Sequence, residues 1–178
     1  MKILFSILIL IFFVSCSDKE IVKDTDQQLK YSFDNILSYN NEDTIFIKSR
    51  FADCGEWGGH NELIKIYRSD RKIKLAYIKY KVDCSNRDKS GSIIQEKDIT
   101  DNFILSHSKQ ASVMNYMNDL MKLKFIDPEY GNSGNSFSVE DSKEKLRFSQ
   151  YGNNILLLNN YNILMENLGF SEVGVKSE

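Results

Sequence analysis

Over roughly forty residues, from Thr44 to Val82, apolar and polar side chains alternate with a period of two, which extended strands satisfy and helices do not. The stretch "TIFIKSRF" sets Ile45, Ile47 and Phe51 on one face and Phe46, Lys48 and Arg50 on the other. After a glycine-rich break, "ELIKIYR" alternates again, with Ile64 and Ile66 opposed to Leu63, Lys65 and Tyr67. Ser69 to Arg71 reads as a turn, for which Asp70 is suited. In "KIKLAYIKYKV" the phase slips. Ile73, Leu75 and Tyr77 share one parity, whereas Ala76, Ile78, Tyr80 and Val82 share the other. A bulge near Leu75–Ala76 is the expected cause, with burial on both faces as the alternative.

Beyond this run, "CSNRDKSGS" reads as a loop and "IIQEKDI" as a charged strand suited to a sheet edge. Val113, Met117, Leu120 and Lys124 then recur at helical spacing, which predicts a helix over about 108–124. The methionines at 114, 117 and 121 fit its core face better than a binding groove. "FSVEDSKEKLRF" predicts a hairpin, with Phe137 and Val139 before the turn and Leu146 and Phe148 after it. Leu157, Tyr161, Leu164 and Leu168 mark a last helix, and Gly169 stands where a C-cap glycine belongs. Strands that precede helices, rather than alternating with them, point to an α+β domain. The expected assembly is an antiparallel meander sheet of about five to six strands with two helices packed on one face.

The chain opens "MKILFSILILIFFVSCSDKE". A single lysine, Lys2, precedes an apolar run from Ile3 to Val14, which as a helix spans about 18 Å. That is short of the ~30 Å hydrocarbon core of a bilayer. A basic start, a short apolar middle and a small residue at the break together read as an export signal. "FVSC" resembles the lipobox of bacterial lipoproteins, although Phe13 stands where Leu or Val is commoner. The resemblance implies cleavage before Cys16, a diacylglycerol on its thiol, and a domain held outside the cytoplasm on a membrane. It covers only the export segment. Residues 1–15 are then the leader and 16–30 the lipidated cysteine with a polar tether. Residues 31–171 form one globular domain, and 172–178 a frayed tail.

Charge excludes one class of partner. There are 23 basic and 25 acidic side chains with the signs interspersed, and Lys2 leaves with the leader. Nothing in that distribution provides an electrostatic footprint for nucleic acid. No phosphate-cradling glycine loop and no nucleophile elbow is present, and no cofactor is expected.

One loop concentrates chemistry. "DCGEWGGH", Asp53 to His60, holds the only tryptophan and one of 2 histidines. With Cys16 taken by lipid, Cys54 and Cys84 remain as an even pair outside the cytoplasm, which favours a disulfide. In a meander they follow strands that run the same way, so both thiols emerge at one end of the sheet. Two strands separated by a third lie about 9–10 Å apart, whereas bridged Cα atoms lie ~4.4–6.8 Å apart. The loops therefore have to converge. A zinc site from Cys54, His60, Cys84 and His107 is the weaker reading, because neither a close cysteine pair nor a close histidine pair exists. Thiol catalysis would need a free Cys54 or Cys84 with His60 as base, and a glycosidase pair would draw on Asp53 and Glu56. Glycines at 55, 58 and 59 let the chain reverse tightly. Trp57 is expected to cover the bridge. The alternative is a binding loop in which Glu56, Trp57 and His60 meet a partner or a sugar.

The reading that follows is a membrane-anchored envelope lipoprotein acting as a non-enzymatic module for another envelope protein. An enzyme or ligand carrier for envelope glycans or small molecules near "CGEWGGH" is the alternative.

Overall fold

The computed structural model of the chain describes Phe33, Leu37 and residues 43–55, 58–126 and 133–174. The leader, Cys16, the tether, Glu56 and Trp57 lie outside the described residues. The element order is β1 (Thr44–Arg50), β2 (Asn61–Ser69), β3 (Lys72–Arg87), β4 (Ile93–Ile104), α1 (His107–Ile126), β5 (Ser136–Asp141), β6 (Arg147–Tyr151) and α2 (Ile155–Leu168). The strands form one antiparallel sheet in the order β4-β3-β2-β1-β5-β6. Thus β1 to β4 meander outward to one edge, and the β5–β6 hairpin adds to the free side of β1. This is the α+β meander that the period-two pattern predicts.

The alternation decides which face is buried. Ile45, Ile47, Ile64, Ile66, Ile73, Leu75, Tyr77, Phe137 and Val139 form the inner face. Val113, Tyr116, Met117 and Leu120 of α1, with Leu157, Tyr161, Leu164 and Leu168 of α2, complete the same core. The core face of α1 includes Met114 and Met117, whereas Met121 is 44 % exposed. Asn154 caps α2 by accepting from the Leu156 amide at 2.8 Å. Gly169 ends it in the left-handed region, φ 88°. Lys109 joins the helices, donating from Nζ to the Leu168 carbonyl at 2.7 Å.

Two local expectations differ from the structure. The register of β2 with β3 is unbroken from Ser69↔Lys72 to Glu62↔Lys79, so no bulge interrupts Leu75–Ala76. The irregularities lie later, between Lys79 and Tyr80 and between Val82 and Arg87. The phase slip has another cause: Ile73, Leu75 and Tyr77 face the core while Ala76, Ile78 and Tyr80 are half-buried on the outer face. The second difference is that "CSNR" is not loop. It prolongs β3, and only residues 88–92 turn. There the Asp88 carboxylate accepts from the Ser90 and Ser92 amides at 2.8 and 3.0 Å, and Gly91 takes φ 84°.

At the chain's end, Val173 is buried, and the Asn162 side chain holds its amide and carbonyl at 3.0 and 3.1 Å. The part of the 172–178 segment nearest α2 is therefore pinned to the domain. Among the described residues, no helix is long and apolar enough to cross a membrane.

Candidate functional site

The glycine-rich connection from β1 to β2 is stitched at both ends. Phe51 donates its amide to the His60 carbonyl at 3.0 Å, and Cys54 donates to the Gly58 carbonyl at 3.2 Å. Gly59 has no space for a side chain, because a Cβ there would overlap the Phe51 carbonyl. Cys54 and Cys84 are joined by a disulfide with Cα atoms 5.3 Å apart. The 9–10 Å between alternate strands is closed as expected, by convergence: Cys54 lies beyond the end of β1, and Cys84 lies past the irregularity that turns β3 out of register.

The same convergence brings β4 over the loop. Gln95 bridges to it, its Nε2 donating to the Gly59 carbonyl at 2.9 Å and its Oε1 accepting from the Asn61 amide at 3.1 Å. Ile93 packs so closely on Gly58 that a Cβ at Gly58 would overlap its side chain.

Beneath the loop is a polar cluster that the sequence reading only half anticipates. His60 is 8 % exposed and stacks on Phe51 with ring centroids 4.8 Å apart. Its Nδ1 is ion-paired with Asp53, and its Nε2 lies 3.2 Å from Glu62 Oε1. Glu62 is a carboxylate on the core face of a central strand, 2 % exposed. It survives there because its oxygens are met from several directions. Tyr77 and Tyr161 donate their hydroxyls to Oε2 at 2.9 and 2.7 Å, and Lys79 Nζ approaches Oε1 at 3.3 Å.

Burial pushes the His60 pKa down, but the hydrogen bonds and charges of Asp53 and Glu62 outweigh it and raise the value from 6.5 to about 9. For Glu62, burial pushes upward, yet His60, the two tyrosines and Lys79 bring its pKa below the ordinary 4.5. The tyrosine hydroxyls are driven up by burial and by the adjacent carboxylate. The cluster is thus a cationic histidine held between two carboxylates.

Of the residues singled out in the sequence, the structure unites Cys54 with Cys84 and places His60 beside that bridge. It separates His107, which begins α1 after the far end of β4, where Ile104 pairs with Lys74 rather than with the Lys79 end that adjoins His60. Among the described residues, no group of three or more His, Cys, Asp or Glu is placed to hold a metal. Both thiols and both nitrogens of the His60 ring are engaged in holding the loop.

On the outer face of the sheet, away from the helices, lies a groove of about 510 Å³ lined by Lys48, Arg50, Leu63, Tyr80, Ser136 and Ser138 among others. A smaller cavity of about 280 Å³ adjoins it, between Gly58–Gly59 and the β3–β4 hairpin tip, and shares Arg50, Asn61 and Gln95 with it. Neither Arg50 nor Leu63 stood out in sequence as a candidate; each reads there as an ordinary outward residue of its strand. Comparison with protein-family models, curated proteins and solved structures gives no match.

Proposed function

We propose that the protein is an envelope lipoprotein, held to a membrane through lipidated Cys16. Its disulfide-stapled domain acts on another envelope protein as a non-enzymatic assembly, inhibitory or immunity-like factor. The observation that carries this reading is the half-covered sheet. Both helices pack on one face, while the other carries half-buried Phe46, Leu63, Tyr67, Ile78 and Tyr80, of which Leu63 and Tyr80 line the 510 Å³ groove. Aromatic and aliphatic side chains set among Lys48 and Lys65 on an uncovered sheet face offer the mixed contacts that protein partners use. The engagement of His60 and both cysteines in the loop's own architecture supports a binding role over thiol chemistry.

The test is site-specific photocrosslinking in cells, with a photoreactive residue at Leu63 or Tyr80 and a control at Asp119 on α1. A discrete adduct with one envelope protein, confined to the outer-face positions, is the expected result. Adducts that are absent, or equally abundant from the control position, would sink the reading.

A second reading, a carrier of small envelope ligands near the glycine loop, is favoured by one observation. The 280 Å³ cavity is bounded by Gly58 and Gly59 themselves.

A further inference from the structure

We propose that the cavity between the glycine turn and the β3–β4 hairpin tip is an anion site, in which Arg50 and Arg87 hold the carboxylate or phosphate of a small polar ligand; this rests on the small-ligand reading of that cavity. Its volume, about 280 Å³, lies at the lower limit of the ~300–1,000 Å³ typical of ligand pockets. It therefore suits a small molecule or a single group of a larger one.

Among the described residues the lining has one sign of charge: Arg50 and Arg87 contribute two guanidinium groups, and none of the described aspartates or glutamates lines the cavity. Elsewhere lysines find acids, as Lys48 does with Glu140, Lys74 with Asp70 and Lys81 with Glu96. The two arginines find backbone carbonyls instead. Arg50 Nη2 donates to Gly134 at 2.8 Å and Arg87 Nη1 to Gly91 at 2.8 Å. These bonds fix each guanidinium while leaving its charge unmatched by a carboxylate among the described residues. Arg50 also has a buried Nε without a hydrogen-bond partner, a cost that an acceptor would remove. Two like charges beside one small cavity repel. An oxyanion between them relieves both defects, and the planar guanidinium fork matches a carboxylate or phosphate edge.

The cavity is also held open. The Cys54–Cys84 bridge, the two Gln95 hydrogen bonds and the Ile93–Gly58 contact fix its walls. Asn61, Ser90 and Ser92 add neutral polar groups to the lining, which suits a hydroxylated ligand.

The experiment is an amide chemical-shift titration of the mature chain carrying Cys16→Ser. Three separate probes are used: inorganic phosphate, glucuronate and uncharged glucose. Saturable shifts at Gly58, Gly59, Gly91 and Ser92 with an anionic probe, and none with glucose, are expected. Arg87→Gln, at an exposed position, should weaken that binding by about tenfold or more at unchanged Tm. Saturation by phosphate alone makes a free oxyanion the ligand class, whereas saturation by glucuronate makes it a sugar acid; either outcome supports the site. Binding of glucose that Arg87→Gln leaves unaltered overturns the anion assignment but keeps the small-ligand reading. Shifts that rise linearly with every probe mean an adventitious ion only and overturn both.

Discussion

Glu62 is the residue on which the candidate site turns. A carboxylate facing the core persists only when its lone pairs are met, and here His60, Tyr77, Tyr161 and Lys79 meet them. The histidine has the larger consequence for pH. A folded-state pKa raised from 6.5 to about 9 means that folding is linked to proton uptake. The stabilisation is complete below pH 6.5 and is lost as pH rises through about 9. At pH 6, His60→Gln should cost about 3 kcal/mol, because it leaves Glu62 buried with one fewer cation. Urea unfolding at a series of pH values reads this directly: the gap between wild type and variant should shrink through the alkaline range. A gap that does not change with pH would show that His60 acts by packing alone. Glu62 works in the opposite sense. Its lowered pKa gives stability that is present above 4.5 and disappears as pH falls through the folded-state value. In the sequence, Glu62 was readable as unusual, since it shares parity with Ile64 and Ile66 and is thereby turned inward. Its tyrosine partners were not readable. Tyr161 lies 99 positions away along the chain, and only tertiary packing brings it there.

At the scale of elements, the converging arms of β1–β2 and β3–β4 depend on one covalent link. The bridge spans 30 positions, so by loop entropy its loss should cost about 3–4 kcal/mol. Replacing both Cys54 and Cys84 by serine should lower the urea midpoint accordingly. Hydrogen exchange should then quicken at residues 52–60 and 84–93 before it does in the inner strands. Uniform acceleration across the sheet would instead make the bridge a global staple. The cap of α2 gives a smaller and separable effect. Gly169 at φ 88° excludes a Cβ only on conformational grounds, since the nearest atom to one would be Lys109 Nζ at 3.9 Å. Gly169→Ala should therefore cost about 1 kcal/mol, seen as a few degrees in Tm. These elements differ in how plainly the sequence announces them. Period-two alternation fixes the faces of β1 and β2, and the glycine at 169 announces the end of α2. The length of β3 past Val82 is less visible. "CSNR" has the composition of a loop, and its extension as strand is held by the Arg87↔Ile93 pairing with β4 and by the disulfide at Cys84. The apparent phase slip arose because a strand with an apolar outer face looks, by period alone, like one with a bulge.

For the molecule as a whole, helices on one face, a groove on the other and, in the function proposed above, a lipid at Cys16 divide the work. Packing of α1 and α2 on the inner face supplies the core. Anchoring has a different effect. In the proposed reading a lipid would confine the domain to the membrane surface and raise its effective concentration against a partner in the same compartment, without adding a contact. Stable retention needs several acyl chains, because one chain binds only marginally. Cys16→Ala should therefore shift the protein from the membrane to the aqueous fraction while leaving Tm and the far-UV spectrum of the domain unchanged. Affinity for the crosslinked partner, measured with both proteins in solution, should also be unchanged, whereas adduct yield in cells should fall. Tyr80→Ala should do the reverse, weakening the solution affinity while the protein stays on the membrane. If Cys16→Ala stays in the membrane fraction, the lipid anchor is not what holds the protein there. If it leaves but adduct yield in cells is unaltered, the partner is not confined to the membrane, and the anchor serves export or sorting rather than encounter.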